Sequence, residues 1–237
     1  RLDEGWYAAW AREDWTVEDR RLQQNPHMHL LEAYVTLFEA TGEARVRASA
    51  RGLVDLFEAR LVDPATGALR EFFDERGRPD AENGDMVEPG HHFEWFWLLH
   101  RHAEVTGDRQ GLGPADAMFH RARRDGVDVV HGGVYDQVSA RDGRVLKDTK
   151  RCWPLTECVK AHAVMARRTG APDDLAAMCR HAADLLRIYL RDDGGSVEHV
   201  GRDLRPFDTT VPASTGYHVL MAILEALRTL GDSSVAR

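Results

Sequence analysis

Cysteine is scarce in this sequence, and its few copies are not arranged for a structural role. The three cysteines are Cys152, Cys158 and Cys179, and no two have the C-x-x-C spacing. They predict neither a disulfide framework nor a zinc site. A chain of this kind is expected in a reducing compartment, so we predict a cytoplasmic protein.

Long apolar runs, a secretory leader and an excess of basic residues are also missing. No run reaches the roughly 18 apolar residues of a membrane span, and no basic segment followed by an apolar one opens the chain. The net charge of −8 argues against nucleic acid and anionic membranes as partners. The densest basic cluster, around Arg123, is typical of a solvated helix end. Neither H-E-x-x-H nor a glycine-rich phosphate loop occurs, so no metal or nucleotide is predicted.

What the sequence does contain is an internal repeat. Four glycines that each follow a long amphipathic stretch are spaced 61 to 65 residues apart: Gly42, Gly107, Gly170 and Gly231. A second series with nearly the same spacing opens short alternating runs: Gly5, Gly67, Gly133 and Gly195. Self-similarity at a fixed period is typical of repeat architectures, and a unit of about 63 residues accommodates two helices and a hairpin.

Each unit has the same order of predicted elements. Alternation around Asp and Gly predicts hairpins at 67–77, 133–147 and 195–205. Apolar residues around most of the circumference predict four inner helices, buried on more than one side, at 28–40, 93–105, 155–168 and 217–230. More amphipathic stretches predict three outer helices at 44–61, 114–125 and 173–190. The chain is therefore expected to be all-α apart from short hairpins.

Repeated helical hairpins either stack as a solenoid or close into a toroid. A toroid of six such units needs roughly 380 residues, whereas this chain has 237 and opens within a hairpin at Gly5. We expect residues 1–237 to form a single helical domain that lacks its N-terminal portion.

Chemistry-bearing residues recur at one position of the repeat. His29, His91, Trp153 and His218 each lie near the start of an inner helix, 62 to 65 residues apart. Glutamates follow one helical turn later at 32, 94 and 157. If the helix starts converge, imidazole, carboxylate and indole groups form an acid/base site with a stacking platform for a sugar ring.

Structural roles remain the alternative at each of these positions. A histidine at a helix N-terminus can be satisfied by backbone groups, a tryptophan can be core, and a glutamate can be solvated. The histidines without repeat partners are predicted to be structural: His27, His92, His100 and His102. Glu88 and His91 have the spacing of di-iron ligands, but we expect Pro89 and Gly90 to interrupt the helical turn, so no metal is predicted.

Four stretches resemble motifs of the N-acylglucosamine 2-epimerase superfamily. Residues 25–33 resemble its N-x-x-M-H-x-x-E-A stretch, and residues 88–95 resemble E-P-G-H-x-x-E-W. Residues 150–157 are similar to K-x-x-W-P-x-x-E, and residues 212–218 to P-x-S-x-x-Y-H. The motifs occur in the family's order and cover nearly the whole chain.

This resemblance implies an (α/α)6 barrel, of which about the first five helices would be absent here, and cofactor-free interconversion of sugars at C2. It further implies that His91 is the base at C2, that His218 is a second acid/base on the opposite face, and that Glu94 assists ring opening. His29 and Asn25 would place substrate hydroxyls. By the same resemblance, three residues would line the sugar pocket: Trp153, Glu157 and Trp97.

We therefore predict an isomerase or 2-epimerase of an unphosphorylated aldose, with mannose–fructose isomerisation ahead of epimerisation of glucose or N-acylglucosamine. The motifs are not accompanied by a cluster of Arg and Lys residues that could bind a phosphate group. One alternative is a glycoside hydrolase or lyase on the same barrel, which would need two flanking carboxylates, with Glu94 and Glu157 as the only evident pair. Another is a non-catalytic, protein-binding toroid. The predicted partner is a small sugar, with a homodimer as a possible assembly.

Overall fold

The computed structural model describes residues 5–7, 12–14, 16 and 22–232. Within this part the chain forms seven α-helices: α1 Asn25–Thr41, α2 Ala44–Leu56, α3 Pro89–Thr106, α4 Leu112–Asp125, α5 Cys152–Thr169, α6 Pro172–Tyr189 and α7 Ser214–Gly231. All seven predicted helices are confirmed. A π-helical turn, Phe57–Leu61, extends α2 to its predicted end. Most of the predicted first hairpin, beyond Gly5 to Tyr7, lies outside the described residues.

Glycine ends three of the four inner helices in the left-handed conformation. Gly42, Gly107 and Gly170 have φ of 67°, 77° and 64°, and their N–H groups donate to the carbonyls of Phe38, Ala103 and Ala166. A left-handed residue at this position satisfies a carbonyl that the helix leaves unpaired. The expectation is wrong for Gly231, which is still the last residue of α7.

The start of α3 also differs from the expectation. Pro89 and Gly90 are its first two residues, so the loop ends at Glu88. Proline is tolerated in the first helical turn because its missing N–H would have no partner there. Glu88 and His91 are consequently one helical turn apart, and the His91 N–H donates to the Glu88 carbonyl.

Short strands connect the helices: β1 Leu22–Gln23, β2 Phe72–Phe73, β3 Met86–Val87, β4 Gln137–Ser139, β5 Val145–Lys147, β6 Lys150–Arg151, β7 His199–Val200 and β8 Pro206–Asp208. The predicted hairpins are confirmed. Strand β4 pairs with β5, strand β7 pairs with β8, and Phe73 bridges to Pro79 across the first turn.

The chain divides into two compact units, and the division runs through α3 and α4. Unit 1 comprises residues 1–87, 98–118 and 139–142. In it α1 packs on α2, and β1 pairs antiparallel with β2. Its core includes Met28, Leu31 and Leu53, which are fully or almost fully buried. That residues 1–237 form one domain stays a prediction.

Unit 2 comprises residues 88–97, 119–138 and 143–237. Helix α5 packs on both α6 and α7, and it is buried along most of its length, as an inner helix should be. The antiparallel sheet β6–β7–β8 lies at the start of α5. Among the described residues, no helix is both long and apolar enough to cross a membrane.

Helix α7 does not have the burial that its sequence predicts. It buries one face, which includes His218 and Ala222, and exposes apolar side chains on another: Tyr217, Leu220, Leu224 and Leu227. The expectation of burial on more than one side is therefore wrong for α7. Among the described helices, α7 packs mainly on α5 and less on α6.

Candidate active site

The sheet of unit 2 fixes where α5 and α7 begin. Strand β6 runs directly into α5, and the Cys152 N–H donates to the backbone carbonyl of Glu198 next to β7. The buried carboxylate of Glu198 also accepts a hydrogen bond of 2.7 Å from the hydroxyl of Thr215, in the first turn of α7. One residue thereby holds both helix starts, and it sets the positions of Trp153 and His218.

Trp153 lies close to two of the three histidines that the repeat singles out. Its ring centroid is 4.8 Å from that of His91 on α3 and 6.0 Å from that of His218 on α7. Both histidines are buried, whereas Trp153 is half-buried. An indole ring with two imidazoles nearby is a suitable platform for a polar ring that needs proton transfer.

The approach of Trp153 to α3 depends on Gly90. A Cβ atom at residue 90 would lie 2.6 Å from the Trp153 ring and 2.9 Å from the Pro154 side chain. Such distances are shorter than any real contact, so the tryptophan ring would have to move. Glycine at this position therefore sets the spacing between α3 and α5 at the site.

We expect Gly90→Ala to destabilise the protein by about 1–3 kcal/mol, the usual cost of overpacking, and to shift tryptophan fluorescence. The matched control is Gly52→Ala in α2, where a new Cβ would meet nothing within 4 Å. Alanine there should stabilise the helix by about 0.5–1 kcal/mol. Chemical denaturation measures both changes, and equal effects of the two substitutions would refute the packing role of Gly90.

A buried ionic network supports His218. Its Nδ1 lies 2.8 Å from one carboxylate oxygen of Glu157, and the other oxygen lies 2.6 Å from Lys160 Nζ. Glu157 and Lys160 are both fully buried. Because a buried charge is costly unless it is paired, each group requires the other.

The network fixes the protonation of Glu157. Burial by itself would raise the pKa of this carboxyl, but the positive charge of Lys160 and the hydrogen bond from His218 together hold its pKa below the ordinary value. An ionised carboxylate only accepts hydrogen bonds, so Nδ1 of His218 carries a proton. Nε2 is then the nitrogen that can exchange a proton with a ligand.

Trp97 and Glu94 complete the buried part of the site. Lys160 Nζ lies 3.9 Å from the centre of the Trp97 ring, within cation–π distance. Glu94 is almost fully buried, and one of its oxygens lies within 4.8 Å of the nearest polar atoms of Glu157 and His218. A metal among these three groups would have to compete with the lysine ammonium that Glu157 already binds.

Arg151 holds the rim of the site beside Trp153. Its guanidinium lies 5.1 Å from the centre of the indole ring and donates to Glu88 at 2.7 Å and to Asp136 at 2.8 Å. Burial opposes the charge of Arg151, but the two carboxylates raise its pKa above the ordinary value. Glu88 lies only 3.9 Å from Nδ1 of His91, so the same carboxylate sits near both groups.

The predicted site residues fall into two sets. Six of them belong to unit 2 and are linked by the contacts above: His91, Glu94, Trp97, Trp153, Glu157 and His218. Asn25 and His29 belong to unit 1, at the start of α1. There the half-exposed His29 faces Glu32 at 3.5 Å. Glu157 follows Trp153 by one turn of α5, and its carboxylate bonds to His218 on α7.

Three residues that the sequence analysis did not assign to the site contribute to its geometry. They are Lys160, Arg151 and Glu198. A signal existed for Lys160, because it follows Glu157 by three residues in a helix that is otherwise nearly apolar, and an ion pair at that spacing is common. Glu198 carried no such signal, since its partners are distant in sequence.

Comparison with known proteins gives a consistent result. The family described as N-acylglucosamine 2-epimerase matches the chain over residues 3–222. A mannose-6-phosphate isomerase of Rhizobium meliloti is 40% identical over 219 residues, which cover 86% of this chain and 54% of that protein. A cellobiose 2-epimerase of Bacteroides fragilis is 33% identical over 207 residues, covering 81% of this chain and 50% of that protein.

Solved structures agree on the fold. A D-mannose isomerase superposes with a TM-score of 0.85 at 21% identity, covering 95% of this chain and 61% of that one. The α/α-barrel fold class is thus confirmed. Glycoside hydrolases with this fold are more distant neighbours. The chain spans about half the length of the curated relatives it matches.

Proposed function

The chain belongs to the N-acylglucosamine 2-epimerase family, and we propose that its protein isomerises or epimerises an unphosphorylated aldose by proton transfer at C2. The observation that carries the proposal is that the imidazoles of both His91 and His218 lie next to the Trp153 ring, with centroids 4.8 Å and 6.0 Å from it. A sugar stacked on the indole would present its C2 hydrogen to imidazole nitrogens, the groups best suited to exchange a carbon-bound proton near neutral pH.

In this mechanism Glu94 assists opening of the sugar ring, and His91 removes the proton from C2 of the open-chain aldehyde. The electrons move into the C1–C2 bond and give an enediolate, whose oxygens are stabilised by hydrogen-bond donors. Return of the proton to C1, with transfer of the hydroxyl proton from O2 to O1, gives the ketose. Delivery of a proton to the opposite face of C2, which we assign to Nε2 of His218, gives the epimer.

The charge distribution supports an unphosphorylated substrate. In unit 2, Arg151 is bound by Glu88 and Asp136, and Lys160 is bound by Glu157. These cations are already neutralised, so they would not compensate a phosphate dianion. The Rhizobium meliloti relative is named for a phosphorylated sugar, and mannose 6-phosphate therefore belongs among the substrates to be tested.

The same contacts argue against a glycoside hydrolase. A hydrolase would need both Glu94 and Glu157 as free acid, base or nucleophile at the scissile bond. Both oxygens of Glu157 are engaged, by His218 and Lys160. A protein-binding toroid would not require buried imidazoles and carboxylates, because burying such groups costs desolvation free energy and they cannot contact a partner at the surface.

The test is incubation of the full-length protein with mannose in deuterium oxide. We expect fructose as the main early product, slower formation of glucose, and deuterium at the carbon that receives the solvent-exchanged proton. Chromatography and mass spectrometry of early time points measure these products. Faster turnover of mannose 6-phosphate, N-acetylglucosamine or cellobiose would refute mannose as the substrate. A product without deuterium at C1 or C2 would argue against proton transfer through an imidazole that exchanges its proton with solvent.

His218→Ala separates the two faces of the reaction. Loss of glucose with retention of fructose supports His218 as the acid/base on the second face. Equal loss of both products contradicts that role and indicates that His218 serves a shared step such as ring opening.

Several finer points belong to the same proposal. His29 and Asn25 are proposed to place substrate hydroxyls, and Trp97 and Glu157 to line the sugar pocket without direct chemistry. A cytoplasmic location and a homodimeric assembly are proposed as well. The scarcity of cysteine supports the location, and the exposed apolar face of α7 is compatible with an interface.

A further inference from the structure

A second cluster of metal-ligand side chains lies between α5 and α6, apart from the residues of the proposed reaction. Cys158 and His162 are one turn apart on the same face of α5, and His181 faces them from α6. The sulfur and one nitrogen of each imidazole all lie within 4.8 Å of one another. The two imidazole rings are 4.8 Å apart, centre to centre.

Cys158 and His162 are fully buried, His181 is partly exposed, and three of the four imidazole nitrogens lack hydrogen-bond partners among the described residues. Both ring nitrogens of the fully buried His162, and Nδ1 of His181, have none within the described part of the chain. The neighbours of His162 include the rings of Phe93 and Phe119, which offer no acceptor. An unsatisfied buried polar group costs about 1–3 kcal/mol, so three such nitrogens at one place indicate that a ligand normally occupies it.

We propose that Cys158, His162 and His181 bind a zinc ion. Thiolate and imidazole are the ligands that Zn²⁺ prefers, and three protein ligands with a fourth open position are a common zinc arrangement. Zinc bonds of about 2.0–2.3 Å place tetrahedral ligand atoms closer together than 4.8 Å. Small side-chain rotations would bring the three atoms onto the ion. The C-x-x-C spacing sought in the sequence is not required, because the ligands come from two helices.

Zinc binds the thiolate form of cysteine and the neutral form of histidine, which keeps a lone pair for the ion. Binding at this cluster would therefore release the thiol proton of Cys158 to solvent.

A cavity beside the cluster gives the ion a path to solvent. It has a volume of about 430 Å³, and His162, His181 and Asp184 are among the residues that line it. Water from this cavity would complete the coordination, with Asp184 as a candidate for an outer hydrogen bond. The site is independent of the proposed sugar chemistry, so the two proposals can fail separately.

The experiment is metal binding to the full-length protein after treatment with a chelator. Titration with Zn²⁺ and elemental analysis after dialysis should give one tightly bound equivalent. Titration with Co²⁺ as a spectroscopic probe should produce a thiolate-to-cobalt charge-transfer band in the near ultraviolet. Absence of a bound equivalent, or cobalt binding without that band, would overturn the proposal.

Matched variants locate the ion. Cys158→Ser and His181→Gln should each weaken zinc binding by at least about 100-fold. The control is Cys179, an exposed cysteine on the same helix as His181, and Cys179→Ser should leave zinc binding unchanged. His181→Gln lies at a partly exposed position, so it remains informative if Cys158→Ser fails to fold. Binding that persists in His181→Gln but is lost in Glu157→Gln would place the ion elsewhere and refute the assignment.

Discussion

Replacing His91 with alanine is expected to lower kcat for exchange of the C2 hydrogen of mannose by about 10²–10⁴-fold, the range for loss of a general acid or base. The imidazole stacks on Trp153 at 4.8 Å and lies at the buried start of α3. Because the Trp153 and Trp97 rings remain, sugar binding should survive, and KM should change much less than kcat. Deuterium incorporation from solvent, followed by nuclear magnetic resonance, measures the exchange rate.

The neighbouring residue offers a matched control. His92 is also buried, and its Nδ1 bonds to the backbone carbonyl of Glu88. His92→Gln should lower stability while the exchange rate per folded molecule stays within a few-fold of wild type. Wild-type exchange in His91→Ala, or an equal loss in both variants, would remove His91 from the role of base.

The second large effect is expected at the buried ion pair. Glu157→Gln keeps the shape of the side chain but leaves the Lys160 ammonium buried without its counter-charge. Removal of one partner from a buried pair costs about 3–5 kcal/mol. Lys160→Met should cost a similar amount, since it leaves the Glu157 carboxylate unpaired except for His218. Urea denaturation at neutral pH measures the free energy of unfolding.

The double variant Glu157→Gln/Lys160→Met tests whether the two losses share one cause. Because an uncharged pair of similar volume avoids the desolvation cost, the double variant should recover at least half of the stability lost in either single variant. Additive losses would contradict the pairing, as would single-variant losses below about 1 kcal/mol.

The ion pair also predicts a pH dependence with a definite sign. The pKa of Glu157 is lower in the folded protein than its ordinary value of 4.5. Its contribution to stability is therefore complete above that ordinary value and is lost as the pH falls through the folded pKa. Between neutral pH and the acid range, wild type should lose more stability than Glu157→Gln. Parallel acid profiles for the two proteins would contradict the lowered pKa.

The sequence alone determined the helices and the identity of the main site residues. Helical periodicity and the glycine repeat are local properties, because a helix follows from the pattern of apolar side chains three and four residues apart. All seven helices were predictable for that reason. The repeat also singled out His91, Trp153 and His218, since equivalent positions in successive units occupy equivalent places in the fold.

The tertiary structure decided which side chains touch. Glu157 bonds to His218 on α7, sixty-one residues away, as well as to Lys160 on its own helix. Likewise Glu198 joins the starts of two helices, and His181 reaches Cys158 and His162 only because α6 packs on α5. Such contacts depend on how the helices pack against one another and on the free-energy cost of burying a charge without a partner. Neither can be read from the spacing of residues within one helix.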